Sequence, residues 1–152
     1  MKTHRFSRRA SALGGLAVLG FAAVLAMTGP AAADSTLKID LWNKNDGSQG
    51  MTLSTPEVKA GKVKFEITNS STDMEHEFLF YKTDMAPEQL PTMDDGARID
   101  EGKLQGFQEF GDIEQGETKT WEAALTPGKY LLFCNEEGHF KAGMYATLTV
   151  TP

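Results

Sequence analysis

The sequence YLLFCNEEGHFKAGMYATLTV, residues 130–150, contains two apolar runs separated by a short polar loop. The runs 130–134 and 145–150 are rich in leucine, aromatic and β-branched residues, a composition that favours strands. The loop between them, 134–144, holds the only cysteine of the chain and one of its three histidines. One short loop between two strands can therefore bring a thiol, an imidazole and a thioether around one point.

The same strand signals recur through the rest of the chain. In residues 63–68, VKFEIT, apolar residues alternate with polar ones, which is the period-two pattern of a half-buried strand. Comparable runs are 37–41, 76–81 and 119–125. Turns that contain glycine or proline separate these runs. We therefore predict an all-β sandwich of about seven or eight strands.

Residues 84–116 interrupt this pattern with two prolines and clustered acidic residues. Residues 87–90, PEQL, begin with a proline, which is favoured in the first turn of a helix, and they predict one helical turn. The remainder predicts a long surface connection between strands. The sequence shows no internal repeat and no second domain, so a single domain follows the N-terminal segment.

The N-terminal segment predicts export from the cytoplasm. The first nine residues carry four basic side chains, and residues 10–27 form an unbroken run of small and apolar residues. Ala31 and Ala33 precede Asp34 at the positions that a signal peptidase requires. We therefore predict a cleaved signal peptide over 1–33 and one mature domain over 34–152. A retained N-terminal anchor is the alternative, because the apolar run is about long enough to span a bilayer.

Two export routes fit the N-terminal segment, and both lead to the periplasm. Arg8 and Arg9 follow Ser7 as in a twin-arginine signal, which directs folded proteins across the membrane. The residues after this pair lack the bulky apolar side chains that usually follow, so the general secretory route is the other possibility. With the signal peptide removed, we expect no stable membrane anchor.

The charge of the mature domain excludes some partners. Residues 1–33 carry four of the 15 Lys and Arg and none of the 21 Asp and Glu, which leaves a formal charge of −10 on residues 34–152. Such a surface repels nucleic acid and anionic membranes and steers basic partners toward it. We expect a monomer, the default for a small acidic protein.

A lone cysteine in an oxidising compartment has three interpretations: a buried inert thiol, a link to another chain, or a metal or catalytic residue. The residues near Cys134 favour a metal, because a thiolate, an imidazole and a thioether are the soft and borderline ligands that suit copper. His76 begins the run HEFLFY, where alternation puts it on the core face. Cys134, His76, His139 and Met144 together form one candidate set of metal ligands. The alternative is a core histidine and a gap-filling methionine.

The chain resembles the cupredoxins, the small blue copper proteins that include plastocyanin, azurin and rusticyanin. The resemblance rests on Asn69 with His76 in NSSTDMEHEF, on PGKY at 127–130, and on the spacing Cys-x4-His-x4-Met in CNEEGHFKAGM. It covers essentially the whole mature chain and is weakest over 84–116. It implies a Greek-key β-sandwich that carries copper at one end.

The resemblance also implies the roles of the candidate ligands. His76, Cys134 and His139 would hold one type 1 copper ion near a common plane, with Met144 as a long axial ligand. A rigid sandwich keeps the geometry change between Cu(I) and Cu(II) small, which favours fast electron transfer.

The same resemblance implies a hydrogen bond that links the segment of His76 to the segment of Cys134. In the family, the residue after the first histidine commonly hydrogen-bonds toward the residue after the cysteine, and these positions are Glu77 and Asn135 here. We hypothesise that the Asn135 amide donates to the Glu77 carboxylate, with a solvated Glu77 as the alternative. Glu136 and Glu137 either lower the reduction potential by lying near the metal or form a solvated acidic loop.

Two functions fit these features. The first is an exported one-electron carrier between redox proteins such as a c-type cytochrome, an oxidase or a reductase with a basic docking face. Its exit route would be the partly exposed edge of His139. The alternative is a periplasmic protein that buffers or delivers copper, which would use the extra methionines, Met51, Met74, Met85 and Met93.

An enzyme is not expected. Multicopper oxidases and copper nitrite reductases need further histidines for a second copper centre, and residues 34–152 contain only His76 and His139. A zinc site with one cysteine, two histidines and an open position is conceivable, but the thioether of Met144 argues against it.

Overall fold

Strand-forming sequence dominates residues 35–152, the part of the chain that the computed structural model describes. These residues belong to one compact unit, Ala31–Pro152. The predicted signal peptide, 1–33, lies outside the described residues. Residues 35–152 contain no helix with the length and hydropathy needed to cross a membrane.

Eleven strands and three short 3-10 turns make up this region. The strands are β1 (Ser35–Asn43), β2 (Gln49–Leu53), β3 (Glu57–Lys59), β4 (Gly61–Asn69), β5 (His76–Lys82), β6 (Thr92–Met93), β7 (Arg98–Ile99), β8 (Gln108–Ile113), β9 (Thr118–Leu125), β10 (Gly128–Phe133) and β11 (Tyr145–Thr151). The 3-10 turns are Pro87–Gln89, Asp94–Gly96 and Glu101–Lys103. The first of them confirms the helical turn predicted at 87–90.

Two sheets form a sandwich. The first sheet has the order β2-β1-β4-β9, the second has the order β3-β11-β10-β5-β8, and β6 pairs with β7 in a separate hairpin. The chain crosses between the two sheets after β2, β3, β4, β8 and β9, as in a Greek-key arrangement. The predicted all-β Greek-key sandwich is therefore confirmed. The predicted seven or eight strands are too few, because β3, β6 and β7 are too short to show any alternation.

The main core lies between the sheets and follows the period-two pattern of the sequence. In β4, Val63, Phe65 and Ile67 point toward the facing sheet, and each is completely buried. In β5, His76 and Phe78 are completely buried on the matching face, as the alternation in HEFLFY predicts. Full burial of one such apolar side chain contributes about 1.5–3 kcal/mol to folding. This packing holds the start of β5 in place.

A second apolar cluster covers the outer face of the second sheet. Its buried members are Leu79, Leu90, Ile99, Leu104, Leu131, Phe133 and Phe140. Three of them lie within 84–116, so the prediction of a plain surface connection there is wrong. These apolar residues are isolated among polar ones and show no period, and only the folded chain brings them onto the sheet. Residues of β10 are consequently buried on both faces, which explains their unbroken apolar run.

Candidate metal centre

His76 is held by the loop that connects β4 to β5. Asn69, at the end of β4, is completely buried and its Nδ2 donates to the backbone carbonyls of Met74 (2.9 Å) and Ile113 (2.8 Å). Its Oδ1 accepts a hydrogen bond from the backbone N–H of Ser71 at 2.9 Å. The side chain of Asn69 therefore fixes the loop at both ends and sets where β5 begins.

Ser71 then sets the orientation of the His76 ring. The Ser71 hydroxyl lies 2.5 Å from Nε2 of His76, and both residues are buried. Because Nε2 is engaged in this way, Nδ1 is the nitrogen that faces the interior of the site. A hydrogen bond to the far nitrogen is the usual means of orienting a metal-binding imidazole.

The other candidate residues lie on the loop 134–144, called the ligand loop below. The backbone N–H of Cys134 donates to the carbonyl of Met144 at 3.1 Å, and the N–H of Met144 donates to the carbonyl of His139 at 3.0 Å. The N–H of His139 in turn donates to the carbonyl of Glu136 at 3.0 Å. The loop thus folds back on itself, and its backbone ties the positions of the three side chains together.

The side chains of the two loops meet at one point. The Sγ of Cys134 lies 3.3 Å from Nδ1 of His139 and 3.9 Å from Nδ1 of His76, and the two Nδ1 atoms are 3.2 Å apart. These three donor atoms all lie within 4.8 Å of one another. Cys134, His76 and Met144 are completely buried, whereas His139 is partly exposed. The site is therefore closed except at the edge of one imidazole.

Burial sets the protonation of these groups. It lowers the pKa of His76 to about 4, with a further contribution from neighbouring His139, and it lowers the pKa of His139 as well. Both rings are consequently neutral at pH 7, and neutral imidazole is the form that binds metals. Burial also raises the pKa of the Cys134 thiol to about 12. A cation is needed to displace that proton and stabilise the thiolate.

The ligand loop is also fastened from outside by the segment around the β6–β7 hairpin. The Oδ1 of Asn135 accepts from the N–H of Ile99 (2.7 Å), and its Nδ2 donates to the Ile99 carbonyl (3.2 Å) and to Oε1 of Glu101 (2.5 Å). The hypothesis that Asn135 donates to Glu77 is therefore wrong. The two outer partners lie in the part of the sequence where the resemblance is weakest.

The acidic residues near the site have separate roles. Glu77 is half-buried, and burial together with the charges of Glu101 and Glu109 raises the pKa of its carboxyl group to about 7. Glu136 pairs with Arg98 at 3.7 Å, while Glu137 is exposed. Arg98, from the β6–β7 hairpin, thus partly neutralises the negative charge that Glu136 and Glu137 give to the ligand loop.

The chemistry of these donors fits copper. A thiol and two imidazoles converge within one buried site, and a buried thioether belongs to the same loop. Zinc and iron sites share the first two ligand types, but a thioether added to cysteine and two histidines is the donor set of mononuclear electron-transfer copper. Fold and donor set together define the class of small copper proteins built on a β-sandwich.

Comparison with known proteins gives the same family. Residues 40–151 match the family model of copper binding proteins, the plastocyanin/azurin family. This match spans most of the chain, and the chain therefore belongs to that family. His76, Cys134, His139 and Met144 are arranged in it as a type 1 copper site. No curated protein matched the chain in the sequence search.

Solved structures show the same fold at low sequence identity. Auracyanin B is 18% identical, with a TM-score of 0.55, and the match covers 80% of this chain and 92% of that chain. Rusticyanin from Thiobacillus ferrooxidans is 16% identical, with a TM-score of 0.51, and covers 82% and 86%. A reduced auracyanin from Roseiflexus castenholzii is 17% identical, with a TM-score of 0.50, and covers 80% and 100%.

The sequence alone did not identify the residues that support the site. Ser71 is one of several serines and threonines before His76, and nothing in the sequence distinguishes it as the partner of that ring. Ile99 and Glu101 lie more than 30 residues before the ligand loop. Asn69 did carry a signal, because it ends a predicted strand and belongs to the segment on which the family resemblance rests.

Proposed function

We propose that the protein is a one-electron carrier, with a single copper ion held by His76, Cys134, His139 and Met144. The observation that carries this proposal is the convergence of Sγ and two Nδ1 atoms within 4.8 Å, inside a largely closed site. Copper bound there would store one electron by cycling between Cu(II) and Cu(I). The protein would hold the donors in one geometry and exclude water from them.

The surroundings of the four residues suit that task. Ser71 fixes the ring of His76, and backbone hydrogen bonds fix the ligand loop, so little movement is needed when the charge of the site changes. Preorganised polar groups reduce the reorganisation that accompanies a change in charge. His139 is the partly exposed member of the set and offers the shortest route between the site and a partner.

The charge distribution supports a basic redox partner. Charges of Glu114 and Asp112 raise the pKa of Glu75, and those of Glu101 and Glu109 contribute to the raised pKa of Glu77. These carboxyl groups thus lie close enough to repel one another, and the exposed ones form a negative surface beside the site. A c-type cytochrome, an oxidase or a reductase with a basic docking face would be steered toward it.

A copper-handling role is the second candidate. Met85 and Met93 are 42% and 47% exposed, and exposed thioethers are able to capture Cu(I). Both residues lie between β5 and β7, outside the closed site. A protein that buffers or delivers copper through these methionines would bind Cu(I) without requiring Cys134.

A spectrum and a voltammogram of the purified protein separate these functions. After addition of one equivalent of Cu(II), the carrier should show an intense thiolate-to-copper band in the visible region and one reversible wave. A colourless protein that binds only Cu(I) would reject the carrier in favour of copper handling. Zinc bound in preference to copper, with no visible band, would reject both.

Copper affinity should rise with pH. Because the pKa of the Cys134 thiol is about 12, copper must displace about one proton at every pH from 6.5 to 9. The affinity should therefore increase roughly tenfold per pH unit in this range. The His76 ring, with a pKa of about 4, adds a second proton only in acid. Titration against a chelator of known pH dependence measures the slope, and a flat profile would contradict a buried thiol as ligand.

We also propose that the carrier works in the periplasm after removal of residues 1–33. Mass spectrometry of the protein recovered from a periplasmic fraction should show a mature chain that begins at Asp34. Ala33→Leu should block cleavage, because the position before the cut requires a small side chain. An intact chain in the cytoplasmic fraction of wild-type cells would contradict this prediction.

A further inference from the structure

We infer that Asn135 is a positioning residue, which fixes the Cys134 sulfur by fastening the ligand loop to the outer hairpin formed by β6 and β7. This inference deepens the proposed function and rests on it. It assigns a role to residues 92–101, which lie outside the sandwich and contain none of the proposed ligands.

The hydrogen bonds of Asn135 are the first argument. Its side chain is 3% exposed and makes three hydrogen bonds, two to the backbone of Ile99 and one to the carboxylate of Glu101. By bonding both the N–H and the carbonyl of Ile99, the amide behaves like one more residue paired to β7. Breaking such a buried set costs more than the bonds contribute when made, because the partners are left unsatisfied.

The position of Asn135 is the second argument. It follows Cys134 directly, and Cys134 itself is bonded through its N–H to the carbonyl of Met144. The backbone at Cys134 is thus held on one side by the ligand loop and on the other by the outer hairpin. A shift of Asn135 would move the adjoining Cys134 with it.

The outer hairpin also holds the histidine side of the loop. The N–H of Gly138 donates to the carbonyl of Ala97 at 2.9 Å, and Arg98 pairs with Glu136 at 3.7 Å. The side chain of Ile99 is completely buried in the second apolar cluster, which anchors the hairpin to the sheet. The outer hairpin therefore holds the ligand loop at two places, one next to Cys134 and one next to His139.

Asn135→Ala tests this role, with Tyr130→Phe as the control. Tyr130 is likewise buried and hydrogen-bonded through its side chain, but its partner is Thr126, at the opposite end of β10 from Cys134. In the copper-loaded protein, Asn135→Ala should release copper about tenfold faster and change both the intensity ratio of the visible bands and the reduction potential. The control should lose stability but keep the wild-type spectrum, potential and release rate.

Glu101→Ala provides a milder variant if Asn135→Ala does not fold. It removes one of the three hydrogen bonds of Asn135 and leaves the pair with Ile99, so we expect a smaller change in the same spectroscopic ratio. A wild-type spectrum, potential and copper release rate in Asn135→Ala would overturn the inference. If only Glu101→Ala folds, a wild-type spectrum, potential and copper release rate in that variant would also overturn the inference.

Amide hydrogen exchange in the copper-free protein separates this inference from the proposed function. Asn135→Ala should increase the exchange rate of the Ile99 and Gly138 amides at least tenfold and leave amides of β4 unchanged. This result would support the fastening even if the wild-type protein showed no blue copper spectrum. Unchanged exchange rates at both amides would refute the inference, whatever the copper spectrum shows.

Discussion

Replacing Cys134 by Ser is expected to abolish the visible charge-transfer band and the reversible redox wave. The hydroxyl is close in size to the thiol and can keep a hydrogen bond to Nδ1 of His139, which lies 3.3 Å from Sγ. It cannot supply a polarisable thiolate, and an alkoxide is not formed at neutral pH. The measurement is a visible spectrum and a voltammogram after addition of one equivalent of Cu(II).

Met93→Leu is the control for this substitution. Met93 is 47% exposed and lies in β6, outside the site, so its replacement should leave colour and potential unchanged. Persistence of the intense band in Cys134→Ser would refute the proposed ligand set. Loss of Cu(I) binding in Met93→Leu, with Cu(I) binding retained in Cys134→Ser, would favour copper handling instead.

Leu131→Ala and Leu132→Ala should both destabilise the protein by about 2–5 kcal/mol. These neighbours in β10 point to opposite faces of the sheet, and they are 3% and 0% exposed. Leu132 belongs to the core between the sheets, whereas Leu131 belongs to the second cluster under residues 87–104. Urea unfolding of each variant gives the loss in the free energy of unfolding.

The comparison between the two leucines tests the second cluster directly. In a sandwich whose outer face is solvated, replacement of Leu131 would change stability by no more than about 0.5 kcal/mol. That outcome would mean that residues 87–104 do not cover the sheet. Thr147→Ala, at an exposed position opposite Leu131 in β11, serves as the control and should lie within this small range.

The strands that frame the site could be predicted because their signals are local. The alternation in β4 and β5 shows which residues face the core, and it places His76 among them. The donor types of the ligand loop are also explicit in the sequence, since cysteine, histidine and methionine occur there within eleven residues. The residues that support the site gave no comparable signal, because serine and glutamate occur in many structural surroundings and no sequence pattern marks these ones.

The prediction for residues 84–116 failed for a related reason. Leu90, Ile99 and Leu104 are separated by polar residues and show neither a helical nor a strand period. Their burial depends on the outer face of the second sheet, which exists only after distant strands have paired. A local pattern therefore indicated a surface connection where the folded chain has a second apolar cluster.

The sequence by itself determined the sandwich class, the ligand loop and the chemical types of the four donors, because periodicity and composition act over neighbouring residues. Only the tertiary structure decided that His76 reaches Cys134, 58 positions away, and that Asn135 bonds Ile99 and Glu101 rather than Glu77. Such contacts depend on the relative placement of strands and loops. That placement follows from burying apolar surface across the whole domain, and no single segment specifies it.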